Sequence, residues 1–268
     1  MRVTQIKSCY IGPVISPEQF IAEHFFLYLT KGTMNGFDGN KLHVLKSGEY
    51  CLVRKNHLAR YNKEIADNGF EKVIIIFDEP FLKKFQAKHK TVTERAASAD
   101  VFLRLKENEL IPDFIRSLIP YYNRSGKVEE AFADLKREEL LLILLKLQPE
   151  LSGILFDFGK PEKINLEEFI NRNYKFNVSL ERLAFLTGRS LSAFKRDFKE
   201  IFHEAPSRWL VQKRLQEAHF LITKMNKKPS EIYLDLGFED LSHFSYAFKK
   251  NFGLTPTALA GQQKMTGC

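Results

Sequence analysis

This chain writes one helical pattern twice. Residues 180–202 read LERLAFLTGRSLSAFKRDFKEIF, and residues 230–252 read SEIYLDLGFEDLSHFSYAFKKNF. Each stretch opens with a short helix and passes through a glycine, Gly188 or Gly237. A polar residue follows, Ser190 or Asp240, and then a longer helix that ends on phenylalanines. Glycine at that place permits the left-handed backbone that ends one helix and lets the next leave sharply. Ser190 and Asp240 can accept hydrogen bonds from the free amides of the following helix. Phe194, Phe198 and Phe202 recur at i, i+4, i+8, as do Phe244, Phe248 and Phe252, so each set lies on one buried face. These rings are core and not a base-stacking platform, which leaves the opposite face free. One such pair would be weak evidence, because many helical hairpins look alike. Two pairs, with FKEIF and FKKNF at the same place, predict two helix-turn-helix units.

Between them Pro206 opens a further helix, apolar at Trp209, Leu210, Leu215, Ala218, Leu221 and Ile222. Some 18 residues at 1.5 Å each give a rod of roughly 27 Å. A rod of that size can hold two recognition helices about 34 Å apart, one turn of duplex DNA, so that one chain occupies two successive major grooves. Charge agrees with an anionic partner without proving one. The formal net charge is +8, and residues 161–268 hold 17 basic and 12 acidic side chains.

Residues 178–256 resemble the DNA-binding domain of the AraC/XylS family. The residues that carry the likeness are LERLAFLTGRS, FKRDFKEIF, AP, RLQEAHFLI and SEIYLDLGFEDLSHFSYAFKKNFGLTP. The resemblance implies a DNA-binding transcription regulator, an activator and not an enzyme. Its fold class is α+β: an amino-terminal β-barrel of cupin-like kind with helices (residues 1–157), a linker (158–163), and an all-α domain of two helix-turn-helix units on a linker helix (164–262). It also implies base-reading positions at the start of each second helix: Ser192, Lys195 and Arg196, then Leu241, Ser242, Ser245 and Tyr246. Arg196 can pair bidentately with guanine, and Lys195 can reach guanine or a phosphate. Tyr246 departs from the pattern, since the family usually has arginine there. Its unit lacks the strongest guanine-reading group, so its read-out is either weaker or rests on apolar contact with thymine methyls and on phosphate contacts from Lys249 and Lys250. Arg189, Ser190, Arg208, Lys249 and Lys250 are candidate phosphate contacts, which position without reading sequence.

The first 90 residues read as short strands between Gly/Asn turns, among them FFLYLT at 25–30, VIIIF at 73–77 and a turn at 67–69, consistent with a small barrel or sandwich. Helical spacing begins at Pro80 with Phe81, Leu82 and Phe85, and continues through residues 113–122 and 131–147. The last of these is apolar over more than one stripe, so it is either core or a contact with a second copy, with Leu141 or Leu145 facing outward. A homodimer, duplex DNA and RNA polymerase are the expected partners. Control falls either to a small-molecule effector or to a protein that masks the amino-terminal part. Arg54, Lys55, His57 and Arg60 fit an anion pocket or a basic edge strand. Cys9, Cys51 and Cys268 are scattered, and no HxH or CxxC spacing exists, so neither disulfides, a metal nor another cofactor is expected. No Walker loop or GxSxG is present. Without an apolar leader or a run long enough to span a bilayer, the chain is expected to be cytoplasmic, with no membrane partner.

Overall fold

The VIIIF run at 73–77 is apolar at every position, and both faces of its strand are covered. Val73, Ile75 and Phe77 enter a core shared with helices, while Ile74 packs into a second core on the other side. The computed structural model describes residues 6–10, 19–64, 69–94, 100–122 and 128–266. Its strands are β1 (Ile6–Tyr10), β2 (Phe20–Ile21), β3 (His24–Lys31), β4 (Thr33–Phe37), β5 (Leu42–Lys46), β6 (Tyr50–Val53), β7 (His57–Leu58), β8 (Arg60–Glu64), β9 (Glu71–Phe77) and β10 (Phe102–Arg104). They pair antiparallel in the orders β1-β9-β3-β6-β10, β2-β7 and β5-β4-β8.

Alternation along the five-stranded sheet decides what each face meets. Phe26 and Leu52 point to the helices α1 (Glu79–His89), α2 (Leu110–Ser117), α3 (Glu130–Leu147) and α4 (Ser152–Leu155). Leu27, Leu29, Cys51 and Val53 point the other way, onto Met34 and Leu45 of the three-stranded sheet. Asp78 accepts a hydrogen bond from the Phe81 amide at 2.9 Å and caps α1, with Pro80 in its first turn. Arg137 of α3, buried, donates to Asp78 at 2.8 Å and to Asp134 at 3.0 Å, with its guanidinium 4.0 Å from the Phe81 ring centre.

Three expectations need correcting or completing. The described strands form separate ladders and not a closed barrel. Gly32, at φ +87°, carries the chain from β3 of the larger sheet into β4 of the smaller one; a Cβ there would lie 2.9 Å from the Glu64 carbonyl oxygen. Leu141 is fully buried and Leu145 half-buried in the helix-side core, so neither is the outward face of α3. Phe132, Leu135 and Leu142 form that face, with Leu135 62% exposed. The basic stretch has separate partners: Lys55 pairs with Glu79 at 3.7 Å, and Arg60 lies over the Phe37 ring. Burial pushes the Cys51 thiol up to about 12, so it stays protonated and inert. The turn expected at 67–69 falls partly outside the described residues, as does Cys268.

The chain divides between Gly159 and Lys160 into two compact units. The second unit is helical: α5 (Leu166–Asn173), α6 (Leu180–Leu186), α7 (Leu191–Phe202), α8 (Pro206–Met225), α9 (Pro229–Ile232), α10 (Leu241–Phe252) and α11 (Pro256–Thr266). No described helix is long and apolar enough to cross a membrane.

Candidate nucleic-acid interface

The first helical pair is α6 and α7. Ser179 caps α6, and the buried Thr187 closes it by donating to the Leu183 and Ala184 carbonyls at 2.9 and 3.0 Å. Gly188 follows at φ +64°, so tight against the backbone that a Cβ would sit 2.4 Å from the Glu162 carbonyl carbon. Ser190 then caps α7, accepting from the Ala193 amide at 3.2 Å. Phe194 and Phe198 of α7 are fully buried, and Phe198 and Phe202 pack on Trp209 at 5.7 and 4.4 Å between ring centres. Ser192, Lys195 and Arg196 are exposed on the other side of the helix, with Arg196 side-chain exposure at 74%.

The second pair keeps the frame and shortens the first member. α9 is a single turn, and residues 233–237 continue it as turns. Gly237, at φ +80°, leaves no room for a Cβ, which would lie 2.5 Å from the Lys175 carbonyl oxygen. Asp240 caps α10 by accepting from the His243 amide at 2.6 Å. Phe244 and Phe248 are fully buried, while Leu241, Ser242, Tyr246, Lys249 and Lys250 are exposed and Ser245 is half-buried.

α8 joins the two pairs, and its 20 residues make a rod of about 30 Å. Its buried stripe contains an unexpected cation. Arg214 donates to the carbonyls of Tyr174 (2.7 Å), Phe176 (2.7 Å) and Gly237 (3.0 Å). Burial lowers its pKa to about 10, so it stays charged near neutral pH. Sequence reasoning missed this residue. The available signal was its place at 214 in the series 210, 214, 218, 222, an i, i+4 row otherwise filled by Leu210, Ala218 and Ile222.

Around α7 the charges are organised by one carboxylate. Asp197 accepts from Arg189 Nε at 3.1 Å and from Arg196 Nε and Nη2 at 3.2 and 3.0 Å. These two arginines hold its carboxyl below the usual range. Arg189 also donates to the carbonyls of Thr187 (2.7 Å) and Ile164 (3.0 Å), and its side chain is only 8% exposed. The structure therefore sets it inside the turn, apart from the other residues expected to face phosphate. Arg208 is exposed and pairs with Glu204 one turn before it, at 2.7 Å. Among the described residues no three His, Cys, Asp or Glu side chains gather in a way that could hold a metal ion.

Two family models match the chain: the ExsA N-terminal regulatory domain over residues 24–154, and a helix-turn-helix domain over residues 183–262. The virulence regulon transcriptional activator VirF of Yersinia enterocolitica is 26% identical over 68% of this chain and 67% of its own length. The thermoregulatory protein LcrF of Yersinia pestis is 25% identical over 94% of both chains. A solved transcriptional regulator from Chromobacterium violaceum, described as having an AraC-type DNA-binding domain, is similar to 37% of this chain and 88% of its own, at 26% identity and a TM-score of 0.33. The matched domains and relatives are regulators and not enzymes. With two capped helix pairs on one connecting helix, these two matched domains and these VirF and LcrF relatives, the chain belongs to the AraC family of DNA-binding transcriptional regulators.

Proposed function

We propose that this protein is a transcription activator that reads two adjacent major grooves on one face of the duplex. The observation that carries this is the shared polarity of α7 and α10: phenylalanines inward, a short run of capable side chains outward. In the first groove Arg196 and Lys195 meet base edges, with Ser192 beside them. In the second, Leu241 and Tyr246 offer apolar contact to thymine methyls, and Ser242 and Ser245 offer hydroxyls. Ser190, Arg208, Lys249 and Lys250 serve phosphates, while Arg189 supports the turn from within. Footprinting the full chain over its own upstream region should show two protected major grooves about one helical turn apart. Absence of any preference over random DNA at moderate salt would sink the assignment.

The amino-terminal unit controls this activity in the cytoplasm by macromolecular contact, first of all with a second copy. What favours contact is an open apolar face beside one tightly packed point of the interior. Phe102 packs so closely on Gly36 that a Cβ there would meet its ring at 2.9 Å, while Phe132, Leu135 and Leu142 stand exposed on α3. Replacing Leu135 and Leu142 together by Glu should give a monomer on sedimentation with weakened binding to paired sites. An unchanged oligomeric state would remove α3 from the contact. A small-molecule effector is favoured by a different feature, an open cavity of about 450 Å³ lined by Tyr50, Arg104, Leu105, Asn108 and Pro112 among others. An effector seated there would lose its influence on promoter binding in Tyr50→Ala. Once bound, an activator of this kind recruits RNA polymerase.

A further inference from the structure

An arginine reads guanine with the two N–H groups at the end of its fork, and it does so selectively only if the fork is held in one orientation. A free side chain of this length has many rotamers, and a phosphate is always a competing acceptor. Arg196 is 74% exposed at its side chain, yet it is not free. Its Nε and Nη2 both donate to Asp197 Oδ1, at 3.2 and 3.0 Å. That contact occupies the side edge of the guanidinium and leaves Nη1 and the second N–H of Nη2 available at the tip. Asp197 is itself fixed: Oδ2 accepts from Arg189 Nε at 3.1 Å, and Arg189 is tied to the carbonyls of Ile164 and Thr187 at 3.0 and 2.7 Å. A chain of bonds thus runs from the turn backbone through Arg189 and Asp197 to the one residue on α7 that carries a planar fork. The second unit has Ala247 at the place of Asp197, beside Tyr246, which has no fork to orient.

We infer that Asp197 is a positioning residue that orients Arg196 for guanine, and that it sets base discrimination in the first groove instead of adding to affinity. The inference rests on Arg196 being a base contact. An acidic side chain beside DNA repels phosphate, so a merely tolerated carboxylate would weaken binding and gain nothing. Asparagine keeps the size but has one acceptor oxygen and no charge, and cannot hold both arginines.

The test selects sites from a random duplex library with the full-length protein and with Arg196→Ala, Asp197→Asn and the double variant. Thermal melts and affinity for random DNA are measured alongside. At the position where Arg196→Ala loses its guanine preference, Asp197→Asn should lower that preference about tenfold. It should bind random duplex no more weakly than the parent. In the Arg196→Ala background it should change base preference no further. If Arg196→Ala keeps every preference, the underlying reading of Arg196 is wrong. If Arg196→Ala loses the preference and Asp197→Asn keeps or sharpens it, the positioning role alone is overturned. A uniform loss over all sequences with a lower melting temperature would make Asp197 structural and overturn it equally.

Discussion

The outward side of α7 carries Lys195 and Arg196; fifty residues later the same side of α10 carries Ser245 and Tyr246. The inward sides are interchangeable: Phe194, Phe198 and Phe202 against Phe244, Phe248 and Phe252, each below a capped start and a glycine with positive φ. Packing thus fixes the frame in both units, and the face turned away from the core varies without disturbing it. The supports differ too. The first unit has a capped seven-residue helix, α6, and an arginine–carboxylate network of its own. The second has only the four-residue α9 in that place, and draws on Arg214 of α8 through the Gly237 carbonyl. The second unit therefore leans on the connecting helix more than the first does.

That contrast is broken most severely at Arg214. Arg214→Met fills similar space but leaves three buried carbonyls without their donor, at a cost of about 4 kcal/mol. Amide exchange should then show protection lost around residues 229–252 and 174–177 before it is lost in α7. Equal loss in both helix pairs would show that the units share their support. A smaller effect is expected where the two faces are made alike. Tyr246, 69% exposed, can be replaced by Arg with little effect on the melting temperature. Tyr246→Arg should add about 1 kcal/mol for sites with guanine in the second groove. The gain stays modest because Ala247 supplies no carboxylate to orient the new fork. A lowered melt with unchanged site preference would instead place the Tyr246 ring in a packing role. Last comes Lys250→Ala, which should weaken all sequences alike and make the salt dependence shallower by about one unit. A sequence-selective loss would turn Lys250 from a phosphate contact into a reader.

The helix pairs were legible because their signals are local. A ring every fourth residue and a glycine before a cap can be read in one pass along the chain. Arg214 and Arg189 were not legible in that way, since an arginine's letter does not say whether its guanidinium ends in water or among carbonyls. In the amino-terminal unit, alternation exposed the strands, but the ladder that each strand joins depends on partners far away in sequence. β9 sits between β1 and β3, and Gly32 ends one sheet where a continuous barrel was expected. The face of α3 was misread for a related reason. Leucine or isoleucine fills every position from 140 to 145, so periodicity cannot choose an outward side. The sheet chooses it, by burying Leu140, Leu141 and Leu144.

Asp78 closes β9, caps α1 and receives Arg137 from the middle of α3. One carboxylate is thereby the hinge pin of three elements, with the Phe81 ring as the washer under the guanidinium. The helix that offers Phe132, Leu135 and Leu142 to the outside is riveted through its own opposite side to the end of the central sheet. A push on that face reaches β9 through the Arg137–Asp78 pair and through Leu140, Leu141 and Leu144 packed in the same core, and β9 lies against β1 and β3 along its length.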